Sequence, residues 1–321
     1  MLLKVDLSQK RLGVSPDVIK LILEEFSKIE KFDPKENQLR IDLRKVEEIS
    51  NLSLMLIWKL AMKCKENGFR GHLLVPKKEL QLSGRRFFDS LTGIKSSRQG
   101  NKTTKVDFET FRDPDDRVAN QTETDLFKKL AGNFLDKENS LHSEVSSHIL
   151  EMFANAFDHS QSKKNAACLC TLSPKGLLDF CVCDEGIGIK NSFLGNPVFT
   201  DEYSKMRNDK VIERATKFRT TCNPPESRNP GYQYSNGGIG LYFLRKFVEF
   251  HGSSRLIIIS QNGFFSCQNN GKIKCQELEQ SWNGTIVMLR TNIKQDKSSA
   301  YQEVVGEYIE SLDDKESLII R

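Results

Sequence analysis

The 321-residue chain has no Cys-x-x-Cys pair, no internal repeat and no low-complexity tract. It also has no apolar run approaching the ~20 residues that a membrane-spanning helix needs. Its longest apolar stretch, Leu54 to Met62, is broken by Lys59. A membrane protein is therefore not expected. The first ten residues carry Asp6 and alternate polar with apolar, unlike a secretion signal, so a cytoplasmic protein with reduced thiols is the expectation. Strong charge is lacking too. Lys+Arg 48 against Asp+Glu 43 leaves a net +5, well short of a protein that coats nucleic acid. Apolar residues make up 38% and charged residues 28%, which suits a soluble globular protein and excludes wholesale disorder.

The eight cysteines include two Cys-x-Cys pairs, Cys168/Cys170 and Cys181/Cys183. On strands, period-2 spacing puts both members of a pair on one face. A four-thiolate metal site is one reading; soft filler of a sheet–helix interface is the expected one. The first ~75 residues alternate strand and helix signals, which suits a right-handed crossover unit. Leu2 to Leu7 and Leu39 to Leu43 alternate as strands, and His72 to Val75 is a third. Ser15-Pro16 starts a helix running to about Ile29, and Leu52 to Lys65 repeats Leu52, Leu56, Leu60 and Cys64 at helical spacing. From Lys59 to Lys105 there are twelve Lys/Arg against three Asp/Glu, and Arg85-Arg86-Phe87-Phe88 is a basic-aromatic cluster in that span. Lys95 to Lys105 has the composition of an exposed linker. Residues 294–321 form an acidic tail.

Chemistry begins at a helix from Glu144 to Asp158, whose apolar face carries Val145, Ile149, Phe153 and Ala156. Glu151 and Asn155 stack on another face, four residues apart. A carboxamide oxygen there can ligate a hard cation, and a carboxylate can orient or deprotonate a water. Leu177 to Cys183 reads as a strand running into Asp184-Glu185-Gly186-Ile187-Gly188. A carboxylate at that sheet edge can accept from an exocyclic amine while glycines let a planar group approach the backbone. Asn236-Gly237-Gly238-Ile239-Gly240-Leu241 opens a helix, where backbone N–H groups and the helix dipole favour phosphate. No Lys-Ser/Thr follows, so it is not a P-loop, and no strand precedes it, so it is not a dinucleotide fingerprint. Gly284-Thr285 opens a late strand.

In this order, the blocks resemble the GHKL family of gyrase-type topoisomerases, histidine kinases, MutL proteins and anti-sigma serine kinases. Glu151-Met-Phe-Ala-Asn155 looks like the N box and Asp184-x-Gly186-x-Gly188 like the first glycine box. Gly237-Gly238-Ile239-Gly240-Leu241 looks like the second glycine box, with Thr285 at the place of the late threonine. Asn-Ala-x-x-His159 is most similar to the anti-sigma kinase branch. The resemblance implies a two-layer α/β sandwich of Bergerat type binding ATP with Mg²⁺. On it, Asn155 holds the metal, Glu151 activates water, Asp184 reads the adenine amine with Gly186, Gly188 and Thr285 alongside, and Gly237, Gly238, Gly240 and Leu241 wrap the phosphates. The stretch from Asn191 to Asn236 would be a lid, with Lys205, Arg207, Lys210, Arg214, Lys217, Arg219 and Arg228 as candidates for the γ-phosphate.

The N-terminal unit resembles a STAS domain of anti-anti-sigma type, although Ser50-Asn51-Leu52-Ser53 has leucine at the phosphoacceptor position. The expected organisation is an α/β protein with a STAS-like domain and basic linker over 1–105. A GHKL ATP-binding domain over 118–293 and the acidic tail follow. The expected function is an ATP-binding, ATP-hydrolysing regulator whose nucleotide state controls a protein partner, and a homodimer is compatible with it. A serine protein kinase of anti-sigma type and an ATP-gated clamp on nucleic acid are the alternatives, the clamp being disfavoured because no transducer-sized segment follows.

Overall fold

Residues 2–7, 11–74, 105–111, 140–158, 166–173, 175–217, 220, 240–294 and 306 are described by the computed structural model. The first sheet is built from alternating side chains. β1 (Leu2–Asp6) turns Leu3 and Val5 inward and is followed by the two-residue β2 (Arg11–Leu12). Ser15 then caps α1 (Pro16–Ser27), its hydroxyl accepting from the Val18 N–H at 3.4 Å with Pro16 in the first turn. β3 (Gln38–Asp42) and β4 (Glu48–Ile49) lead into α2 (Asn51–Glu66), and β5 (Arg70–Leu74) closes the unit. All pairings here are parallel, with β1, β3 and β5 in that order in one sheet and β2 beside β4 in a short second one.

Helix α2 departs from the one-sided pattern that its sequence spacing suggests. Every residue from Asn51 to Leu60 is buried, including Leu54, Met55, Ile57 and Trp58, which lie off the Leu52–Leu56–Leu60 stripe. A helix buried all round needs cover on every side. The second sheet supplies it.

That sheet opens with β6 (Lys105–Phe111). Then come α3 (Ser140–Asp158), β7 (Ala166–Leu172), β8 (Leu177–Cys183), and three short helices α4 (Gly188–Leu194), α5 (Pro197–Ser204) and α6 (Asn208–Ala215). Helix α7 (Gly240–Phe250) precedes the long hairpin of β9 (Arg255–Gln268) and β10 (Ile273–Asn292). The strands are antiparallel in the order β6-β7-β8-β10-β9. The molecule is thus mixed α/β, one main sheet parallel and the other antiparallel. The second sheet takes its edge strand from Lys105–Phe111, ahead of residue 118 and directly after the stretch expected to be linker.

One face of the second sheet, with Val182, Phe180, Ile258, Val287 and Leu289, packs with Val145, Ile149, Met152 and Phe153 of α3 and Leu244, Phe247 and Val248 of α7. The other face is not left to solvent. Ala167, Leu169, Cys181, Cys183, Ile257, Ile259, Ile286 and Met288 join the side chains of α1, α2 and the first sheet in one continuous core. Each large aliphatic side chain buried there contributes about 1.5–3 kcal/mol. Polar anchoring adds register, since Asn51 Nδ2 donates to the Asp179 carbonyl and to Thr171 Oγ1, each at 3.1 Å. The Asp179 carboxylate in turn takes a two-pronged ion pair from Arg290 on the neighbouring strand.

The cysteine pairs separate across this sheet. Cys168 and Cys170 sit in the core under α3 and α7, whereas Cys181 and Cys183 sit in the core shared with α1 and α2. Burial pushes the Cys183 thiol up to about 12, so it stays a neutral, packing thiol.

The shared core predicts that both units unfold together. The only two tryptophans, Trp58 on α2 and Trp282 on β10, both lie in it. In Trp58→Phe and Trp282→Phe proteins, urea unfolding followed by the remaining tryptophan should coincide with loss of far-ultraviolet circular dichroism. Separate midpoints within either variant would show two independent units.

Candidate functional site

Helix α3 buries Val145, Ile149, Met152 and Phe153, and this orientation fixes the other side of the helix. There Asn155 Nδ2 donates to Glu151 Oε1 at 3.2 Å. That bond turns the amide nitrogen to the carboxylate and leaves Asn155 Oδ1 as an oxygen suited to a hard cation. Among the described residues, no group of three or more His, Cys, Asp or Glu side chains forms a metal cage. A Mg²⁺ ion at Asn155 would therefore take most of its ligands from phosphate and water, which is its usual habit.

Glu151 also meets the start of α7. A Cβ at Gly240 would stand 1.7 Å from Glu151 Oε1, so a side chain here would displace the Glu151 carboxylate. The next residue, Leu241, is half-buried between the α3/α7 core and the core of the three short helices. Gly237 and Gly238 lie outside the described residues, as do His159 and the Arg85–Phe88 cluster.

Asp184 follows β8 and is only 6% exposed. Its Oδ1 accepts from the Gly186 N–H at 2.7 Å and from the Thr285 N–H at 3.2 Å, and its own N–H donates to the Thr285 carbonyl at 2.9 Å. Gly284, at φ +109°, makes this approach feasible, since a Cβ there would lie 2.1 Å from the Asp184 carbonyl oxygen. Gly188, at φ +78°, begins α4 against Ser260 and Gln261. Ser260 Oγ accepts from the Ile189 N–H at 2.8 Å and lies 3.2 Å from Thr285 Oγ1. Gln261 itself holds a left-handed φ of +54°, beside the register shifts in the β9–β10 pairing. Such bulges re-aim strands beside functional sites.

The structure thus joins the predicted residues in two groups. Glu151 meets both Asn155 and Gly240; Asp184 joins Gly186 and Thr285, with Gly188 tied to Thr285 through Ser260. Ser260 and Gln261 were not predicted. The available signal was the polar break Ser260-Gln261-Asn262-Gly263 inside an otherwise apolar strand.

The first half of the expected lid is helical rather than loop. Residues 188–215 form three helices packed on Phe193, Tyr203, Val211 and Ala215, with the Phe193 and Tyr203 rings stacked at 4.3 Å. Of the proposed phosphate-seeking cations, Arg207 pairs with Asp209 and Glu277, Lys210 with Glu213, and Arg214 with Glu202. All three are half-exposed and paired in this structure. Arg219 and Arg228 lie outside the described residues. His148, on α3, is buried, and burial reinforced by His251 pushes it down to about 3, so it is a neutral ring.

Burial raises Asp184 to about 7, against the lowering effects of the Gly186 and Thr285 N–H groups and of Lys59. Compared with protein-family models and with curated proteins, the sequence gives no match. The class of protein therefore has to be argued from these residues.

An acid whose pKa is higher in the folded state binds its proton more tightly there. The contribution of Asp184 is present below about pH 4 and is lost as pH rises through about 7, a change of at most about 4 kcal/mol. Urea stability of the wild type minus that of Asp184→Asn should fall between pH 4 and pH 8. A flat difference would mean that Asp184 is not held in this buried setting.

Proposed function

We propose that this chain is an ATP-binding regulator of GHKL type that hydrolyses ATP with Mg²⁺ and signals its nucleotide state to a protein partner. The observation that carries the reading is pairwise convergence of blocks far apart in sequence. The N-box glutamate abuts Gly240 of the second glycine box. Asp184 of the first glycine box is hydrogen-bonded to Thr285, 101 residues later. The antiparallel sheet with α3 and α7 on one face is the layer arrangement that a Bergerat-type sandwich requires, and the parallel N-terminal unit suits a STAS-like domain.

In this reading the Asp184 carboxylate accepts from the adenine amine. Its Oδ1 is already pinned by two N–H groups, so the ligand meets a preset acceptor. The backbone at the start of α7, with Gly238, Gly240 and Leu241, receives phosphate. Bound Mg²⁺ would neutralise phosphate charge, with Asn155 as its protein ligand. Glu151, held by Asn155, orients the attacking water and takes its proton.

The STAS-like turn does not serve as a phosphoacceptor here. Ser50 and Ser53 both donate to the Gly13 carbonyl, at 3.1 and 2.7 Å, and Ser53 and Leu52 are fully buried. No helix among the described residues is long and apolar enough to cross a membrane.

Calorimetry with Mg-ATP and phosphate release test the roles separately. Asp184→Asn should weaken binding about 10–100-fold, the worth of a charge-assisted hydrogen bond. Glu151→Ala should keep affinity and lose about 10²–10⁴ in turnover, whereas Asn155→Ala should lose affinity as well. Undiminished turnover in Glu151→Ala would remove the base assignment, and absence of ATP binding by the wild type would remove the reading altogether.

A further inference from the structure

A lysine in the middle of an apolar helix is out of place by composition. Lys59 lies between Trp58 and Leu60 on α2, and its side chain is 1% exposed. Its ammonium donates to Glu185 Oε1 at 3.1 Å, across 126 residues of sequence and from one unit to the other. The same ammonium stands 4.9 Å from the Trp58 ring centroid. Desolvating an ammonium is costly, and an apolar residue of equal volume generally serves stability as well or better. The pair is better explained by what it holds. Glu185 directly follows Asp184 and precedes Gly186, the two residues joined by the Oδ1 hydrogen bond.

We propose that Lys59 is a positioning residue for the nucleotide site: reaching out of the N-terminal unit, it grips Glu185 and so fixes the loop that presents Asp184. The inference rests on the functional reading above and deepens it. The N-terminal helix becomes part of the scaffold of the site, so anything that shifts α2 shifts the adenine-reading carboxylate. Among the described residues, the groups acting on that carboxylate are Lys59 from α2, Glu185 in the loop, the neutral Cys183 thiol on β8, and the N–H groups of Gly186 and Thr285. Lys59 favours the ionised acid and Glu185 opposes it.

The test uses the full chain with Lys59→Met, Glu185→Gln and both together. Mg-ADP affinity by calorimetry should fall about tenfold or more in each single variant, because each breaks the ion pair that fixes the loop and takes that partner from a largely buried charge. The double variant should regain most of that loss, the non-additivity expected of a direct pair. Carbon-13 nuclear magnetic resonance of the Asp184 carboxyl in nucleotide-free protein supplies the second readout. Lys59→Met should raise its midpoint and Glu185→Gln should lower it, which general loosening of the fold would not do. Glu185, 15% exposed, is the safer site to change if Lys59→Met does not fold. Additive losses of affinity, or Asp184 midpoints that do not move, overturn the inference. Failure of wild-type protein to bind Mg-ADP while the midpoints shift in opposite directions would instead remove the functional reading and leave the Lys59 contact standing.

Discussion

Helix α2 has no side that it can give to water over its first ten residues, and two sheets have to close on it. That requirement organises the rest of the molecule. It forces the N-terminal unit onto the antiparallel sheet, so a face that a two-layer sandwich could leave solvated becomes interior. At the start of α2, Ser50 caps the helix and Ser53 is buried as an internal donor to the Gly13 carbonyl. Two polar side chains admitted into this layer are answered across it. Asn51 meets a carbonyl and a hydroxyl, and Lys59 meets Glu185. Unpaired, either would cost more than it contributes.

Around Asp184 the backbone departs from regular geometry on three sides. Gly188, Gln261 and Gly284 all adopt positive φ, on the loop after β8, on β9 and on β10 respectively. Glycine takes such a conformation without a steric penalty, but Gln261 does not, and a left-handed non-glycine residue costs of order 1–3 kcal/mol. Hydrogen bonds among Ser260, Thr285, Ile189 and Asp184 oppose that cost. The carboxylate is consequently set by backbone shape more than by side-chain freedom, and a ligand meeting it would pay little to order it.

Much of the local structure was legible in the chain. Ser15-Pro16 marks the start of α1, the alternation of Leu177 to Cys183 marks β8 to the residue, and the Val145–Ile149–Phe153 spacing marks the buried side of α3. What escaped depends on partners distant in sequence. Lys105–Phe111 alternates as a strand should, yet it directly follows a basic, polar stretch, and that composition pointed to a linker. The helices α4 to α6 have seven or eight residues each, too few for a periodic signal, and are held by Phe193, Tyr203 and their neighbours. Of the site, the residue types and their order were readable. The bulge at Gln261 and the reach of Lys59 were not, because each is defined by a strand or loop elsewhere in the chain.

The burial of α2 has a consequence during synthesis. The helix ends at Glu66, but the sheet that covers it is finished only when Asn292 has been added. At the usual ~5–20 residues per second, about 10–45 seconds pass between the two events. Until then Leu52, Leu54, Met55, Leu56, Ile57 and Trp58 are on a nascent chain without their full cover. The molecule is thus one whose final stability and vulnerability while being made arise from the same ten residues, and its yield in a cell would depend on chaperones that shield an apolar helix near the ribosome.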